Sequence, residues 1–210
     1  KHLYFIIKDS NYEVYSTNGT VFSMVKGKCV ESEDCRFTVP SSKFFKTCSQ
    51  ADEGDVVFVS DEINQLVRVG ISRFGIQLSS LKWDENPPYH WKIFSTLTKD
   101  SSLTVLSLKR ALNKLGFVVP KKGKLALQQM AFLDDRMAAG NETLMSVLFS
   151  DKGVNIPNIA LEGLKSFCSL IPETEAEVDV YKTESEVFLS SSNGFFGWKL
   201  LGEKFPEIVK

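Results

Sequence analysis

The order of local signals along this sequence occurs twice, and a chain that repeats itself folds as two similar units in preference to one continuous core. Arg36-Phe-Thr-Val-Pro-Ser-Ser-Lys-Phe-Phe-Lys-Thr-Cys48 lines up with Val154-Asn-Ile-Pro-Asn-Ile-Ala-Leu-Glu-Gly-Leu-Lys-Ser-Phe-Cys168. In each, a short apolar run meets a proline and a helical pattern follows. Proline lacks an N–H and has a fixed φ, which suits a helix start, so helices are expected from near Ser41 and near Asn158, with Ser41, Ser42 or Asn158 as candidate caps.

Both copies then run through the same three strand-like segments. Asp55-Val-Val-Phe-Val59 and Glu177-Val-Asp-Val-Tyr181 come first, Leu66-Val-Arg-Val69 and Val187-Phe-Leu-Ser190 second, Arg73-Phe-Gly-Ile-Gln-Leu78 and Phe195-Phe-Gly-Trp-Lys-Leu200 third. Polar connectors separate them, and Asn193-Gly194 is a hairpin signal. Each copy ends on a proline element, Asn86-Pro-Pro88 or Phe205-Pro206. Upstream, Tyr12 to Phe22 and Arg136 to Met145 both read strand, polar turn, strand. A helical segment, Leu106 to Leu115, precedes only the second copy. Its Leu108, Ala111, Leu112 and Leu115 form one apolar face. By that comparison the first copy lacks about 25 to 30 residues at its start. In its Ser41 helix, Phe44, Phe45 and Cys48 are expected to face inward, leaving Lys43 and Lys46 outside. The boundary near Tyr89 to Ile93 gives domains 1–91 and 92–210, each a sheet-plus-helix unit of an α+β protein. At 210 residues the chain is long enough for two such cores of roughly 100 residues each.

Charge is distributed unevenly. The formal net charge is −1, yet 101–133 contains no Asp or Glu and carries +6 from Lys109, Arg110, Lys114, Lys121, Lys122 and Lys124, which leaves −7 elsewhere. A run of like charge is ordinarily a solvated face, and Lys121, Lys122 and Lys124 fit a solvated loop as readily as a nucleic-acid contact. No apolar run approaches the ~18 residues of a membrane span. Four cysteines without C-x-x-C spacing fit a reducing cytoplasm. Only His2 and His90 are available for a histidine-based triad or metal site, so no catalytic residue, metal ligand or cofactor is expected. Gly70 to Gly75 has the wrong spacing for a nucleophile elbow, and Gly116 to Lys124 the wrong spacing for a P-loop. Trp83, Trp91 and Trp198 are expected to pack rather than to stack on bases.

These stretches resemble a known family, the bacterial-type DNA sliding clamp, the beta subunit of the replicative DNA polymerase. Phe37-Thr-Val-Pro-Ser-Ser-Lys-Phe-Phe-Lys-Thr-Cys48 with Leu66-Val-Arg-Val-Gly-Ile-Ser-Arg-Phe74 is similar to the end of that family's first domain, and Ile156-Pro157 through Pro206 to the end of its second. The resemblance implies a DNA clamp fold, with sheets outside and helices lining a ring. It also implies a processivity factor that encircles double-stranded DNA without reading sequence and tethers a DNA polymerase. A clamp loader and further copies of the chain are the other implied partners, in the cytoplasm of a bacterium or of a phage's host. The DNA-facing residues would be Lys43, Lys46, Lys109, Arg110, Lys114, Lys121, Lys122 and Lys124. Leu127, Thr143, Leu144 and Pro206 would surround the pocket for partner peptides.

Two departures accompany the resemblance. The family has three such domains and closes as a dimer, whereas two are found here, implying either a missing third domain or a divergent, phage-encoded clamp that closes as a trimer. The family's pocket turn Thr-Asp-Gly-His-Arg-Leu is matched by Ala139-Gly-Asn-Glu-Thr-Leu144. The competing readings are an enzyme, a clamp-fold interaction module whose basic helices bind an acidic partner, and a transcription coactivator that tracks along DNA.

Overall fold

The computed structural model describes residues 2–30, 32–49, 56–61, 63–71, 74–80, 94–120, 128–133, 136–149 and 156–200. They form two compact units, Lys1–Lys92 and Ile93–Lys210.

In the first unit β1 (His2–Lys8), β2 (Asn11–Thr17), β3 (Val21–Lys28) and β4 (Cys35–Pro40) make an antiparallel sheet in the order β4-β1-β2-β3. Period-two alternation buries Leu3 and Phe5 of β1 opposite Val39 and Phe37 of β4, and the rings of Phe5 and Phe37 stack at 4.9 Å. The helix α1 (Ser41–Cys48) follows, then β5 (Val56–Asp61), β6 (Leu66–Ile71) and β7 (Phe74–Ser79) as a second antiparallel sheet. Val67, Val69 and Leu78 join the core, against which Phe44 and Cys48 of α1 and Phe58 of β5 pack.

The second unit opens with β8 (Lys99–Thr104) and α2 (Val105–Leu115), elements without a counterpart among the described residues of the first. Thr104 caps α2 by accepting a hydrogen bond from the Ser107 N–H at 3.2 Å. Val105, Leu108, Ala111 and Leu115 are buried and Leu112 is half-buried, so the apolar stripe read from the sequence is the packed face. Then come β9 (Gln129–Phe132), β10 (Arg136–Gly140), β11 (Met145–Phe149), β12 (Ile156–Ala160), α3 (Leu161–Leu170), β13 (Glu177–Lys182), β14 (Glu186–Ser191) and β15 (Gly194–Lys199). The strand order β11-β10-β9-β12 reproduces β3-β2-β1-β4. Strands β15-β14-β13 reproduce β7-β6-β5, with β8 added beside β13.

The repeat extends to single hydrogen bonds. In the β2–β3 turn, Asn18 Oδ1 accepts from the N–H of Thr20 at 3.0 Å and of Val21 at 2.8 Å. In the β10–β11 turn, Asn141 Oδ1 accepts from Thr143 at 2.9 Å and Leu144 at 2.8 Å. A short amide that satisfies two turn N–H groups is why asparagine stands at both places.

Four expectations are corrected. Helix α3 starts at Leu161, not near Asn158, because the backbone stays extended through Pro157: the β12–β9 register shifts between Ile156 and Ile159, a bulge that tolerates a residue without an N–H. Ser41 and Ser42 lie within α1 rather than capping it; Pro40 is its N-cap, and no side chain caps it. Phe45 is 58% exposed, since consecutive helical residues are about 100° apart and Phe44 takes the inward position. The β14–β15 hairpin turns on Ser192-Asn193, one residue earlier than Asn193-Gly194, and Gly194, paired with Ser191, supplies a φ of 151°. Among the described residues no helix is long and apolar enough to cross a membrane.

Candidate nucleic-acid interface

The three described helices expose their polar sides. On α2, burial of the apolar stripe leaves Lys109, Arg110 and Lys114 exposed with Asn113, and on α1 Lys43 and Lys46 are exposed. Neither helix contains an acidic residue. None of these five cations is in an ion pair among the described residues. Two lysines of the second unit's sheet are treated differently: Lys99 Nζ lies 2.6 Å from Asp179, and Lys182 Nζ lies 3.0 Å from Asp100, across the β8–β13 ladder. The hydrogen bond from Lys182 holds the Asp100 carboxyl below its ordinary range, and the one to Asp179 holds Lys99 above its own. Positive charge on the helices is therefore free to meet an external anion, whereas these two strand lysines are neutralised within the sheet.

Within the second unit α2 packs on α3. Burial pushes the Cys168 thiol of α3 up to about 11 while the charge of Lys109 pulls the other way, which sets Lys109 of α2 beside α3. Lys165 of α3 is exposed as well, a cation absent from the set expected from the sequence. A signal for it exists: Leu161, Leu164 and Phe167 are buried at helical spacing, and Lys165 lies about 100° around the helix from the middle of that stripe.

Of the proposed pocket residues, Thr143 and Leu144 are exposed in the β10–β11 turn. Ala139 and Gly140 still belong to β10, so the turn starts at Asn141, two residues into the stretch matched to the family's turn. Matched on hydrogen bonds, Leu144 and Met145 take the places of Val21 and Phe22 in the first unit. Asn141 Nδ2 also donates to the Val118 carbonyl at 3.2 Å, tying the turn to the end of α2. Leu127, Pro206, Lys121, Lys122 and Lys124 lie outside the described residues, as do Trp83 and Trp91. Trp198 is buried, its ring 5.6 Å from that of Phe196. Among the described residues no group of His, Cys, Asp and Glu is arranged to hold a metal ion.

No protein-family model matches the sequence, and no curated protein matches it. Solved structures do match. The DNA polymerase sliding clamp of Pseudomonas aeruginosa superimposes with a TM-score of 0.75 at 17% identity, over 98% of this chain and 58% of the other. The DNA polymerase III subunit beta of Bartonella birtlesii, bound to griselimycin, gives 0.77 at 15% identity, and the beta subunit from DNA polymerase of Streptococcus pyogenes gives 0.75 at 13%, each with the same coverage. The chain thus has the α+β fold of the bacterial sliding clamp and spans just under three-fifths of the clamp chains it matches.

Proposed function

We propose that this chain is part of a DNA sliding clamp, a non-enzymatic processivity factor whose helices face duplex DNA while a DNA polymerase is tethered to it. The observation that carries the reading is the cluster of exposed, unpaired cations on helices α1 and α2 of a clamp fold, neither of which holds an acidic residue. Lysines and arginines presented on helix surfaces neutralise phosphates without touching base edges, so binding is independent of sequence, salt-dependent and compatible with sliding. Closure around DNA, as a dimer of longer chains or a trimer of chains like this one, makes tight binding unnecessary, which reconciles a net charge near zero with a nucleic-acid partner. Lys43, Lys46, Lys109, Arg110, Lys114 and Lys165 are the proposed phosphate contacts, with Lys121, Lys122 and Lys124 beside them.

The test is retention on circular DNA. Loaded on a nicked circle by a clamp loader, the protein should stay bound and should leave when the circle is cut. A basic interaction module would not respond to the cut, and that result would overturn the reading. Reversing Lys109, Arg110 and Lys114 to Glu should leave thermal unfolding unchanged, since all three are exposed. The salt slope of DNA binding should fall by about 1 for each cation withdrawn from a phosphate.

The turn at Asn141 is the proposed seat of a partner peptide, with Thr143 and Leu144 joined by Met145 and completed by Leu127 and Pro206. Exposed apolar side chains on a turn pinned at both ends are the usual anchors for such a segment. Leu144→Ala should weaken binding of a polymerase-derived peptide about tenfold without altering ring mass. Equal affinity in parent and variant would move the pocket elsewhere.

A further inference from the structure

Helix α2 carries, besides its cations, a group that phosphates do not require. Phe117, one turn beyond Lys114, is 76% exposed, while the next two residues, Val118 and Val119, are buried. Its backbone is fixed: the Val118 N–H donates to the Leu115 carbonyl at 3.0 Å, and the Val118 carbonyl receives the Asn141 amide. Phe117 is therefore held out to solvent at the end of an acid-free helix. The arrangement recurs in the first unit, where exposed Phe45 stands between exposed Lys43 and Lys46 on α1.

A duplex keeps its bases stacked inside and offers a helix only phosphates, sugars and groove edges, so a phenyl ring beside lysines gains nothing from it. An unpaired base offers an aromatic face next to a phosphate, the combination that basic surfaces with interleaved aromatic residues bind. We propose that Phe117 is a stacking platform for an unpaired base, and that the α2 surface formed by Arg110, Asn113, Lys114 and Phe117 holds single-stranded DNA. The inference rests on the nucleic-acid reading of α2 above and adds the strand state that this end of the helix selects. The cations supply attraction common to both forms of DNA, and the ring supplies the preference.

The experiment compares fluorescence anisotropy of the whole protein with labelled oligothymidylate, which has no secondary structure, and with a blunt duplex of equal length. Phe117→Leu keeps an apolar side chain but removes the aromatic face. It should bind oligothymidylate about tenfold more weakly than the parent and the duplex within about twofold. Phe117→Trp should retain single-strand affinity, and its added emission, read against the parent's own tryptophans, should be quenched by oligothymidylate but not by the duplex. Equal binding of oligothymidylate by parent and Phe117→Leu would overturn the inference, and so would an equal loss on both DNAs or an unquenched Phe117→Trp. A parent that ignores oligothymidylate, whether or not it binds the duplex, overturns the role of Phe117, whereas release that does not depend on cutting a nicked circle overturns the clamp reading itself.

Discussion

The outward faces of the two repeated three-strand sheets have the same pairing geometry and opposite contents. Inward, Phe58, Val69 and Ile76 sit opposite one another across β5-β6-β7 as Val180, Leu189 and Phe196 do across β13-β14-β15. The rows on the other side therefore correspond, with Val59, Arg68 and Gly75 standing where the second unit has Tyr181, Phe188 and Phe195. Phe94 covers the second unit's outward face, its ring 4.1 Å from Phe195, 5.2 Å from Tyr181 and 5.5 Å from Phe188. In the first unit the same face is a shallow depression of about 340 Å³ over Gly70 and Gly75, flanked by Val57 at 57% and Val59 at 56% exposure. One topology thus supports a sheet face covered by an aromatic ring and one that is open among the described residues, and the covered face differs both in its three larger side chains and in Phe94, which precedes β8.

The helices differ in the complementary sense. Aligned on Cys48 and Cys168, Lys43 of α1 corresponds to Gly163 of α3. A Cβ added to Gly163 would overlap the ring of Phe196, which is itself buried against Trp198. At the strand position of Phe196 the first unit has the smaller Ile76, and its Lys43 is exposed. Gly163→Val is accordingly the most damaging substitution expected, about 3 kcal/mol in urea denaturation, because neither the helix nor the boxed-in ring can retreat. Combining Gly163→Ala with Phe196→Ile, which installs the first unit's size relation in the second, should recover part of the Gly163→Ala loss. If the pair is no better than the single variant, the size swap is not what separates the two helices. Next in size is Phe94→Ala, at about 2 kcal/mol for a half-buried ring with three aromatic neighbours. A loss under about 0.5 kcal/mol would mean that Phe94 is not what closes the outward face.

How far the sequence reveals all this depends on the range of the interaction. The strands of both units are legible because alternation is local, and α2 because Leu108, Ala111 and Leu115 repeat at helical spacing. The start of α3 is not, because Pro157 signals a helix entry but is absorbed by a bulge that depends on pairing with β9. Phe45 is misplaced by its sequence context because two adjacent aromatic residues look equally buriable until the core selects one. In the candidate interface, the cations of α2 stand out by the absence of acids around them. Lys165 does not, being the single cation of its helix, and only the burial of its neighbours reveals it. The cover that Phe94 provides joins residues far apart in the chain, and no local pattern announces such a contact.

The smallest effect expected is also the sharpest test of the open face. Val57 and Val59 project from β5 opposite Gly70 and Arg68, and neither belongs to the buried cluster of the first unit. Threonine has the same branching and β-propensity as valine and exchanges one methyl for a hydroxyl, which costs free energy only where water is excluded. The double variant Val57→Thr, Val59→Thr should therefore change the urea midpoint by no more than about 0.5 kcal/mol equivalent. The corresponding change on the covered inward face, Val178→Thr with Val180→Thr, should cost about 1 to 3 kcal/mol for each hydroxyl, since those side chains are 1% and 0% exposed. A comparable loss in the β5 variant, measured on the purified protein across a range of concentrations, would show that its valines are covered in solution. A partner copy stabilises only while it is bound, so a loss that shrinks on dilution would identify the cover as a second copy of the chain. A loss that stays constant would place the cover within the chain itself.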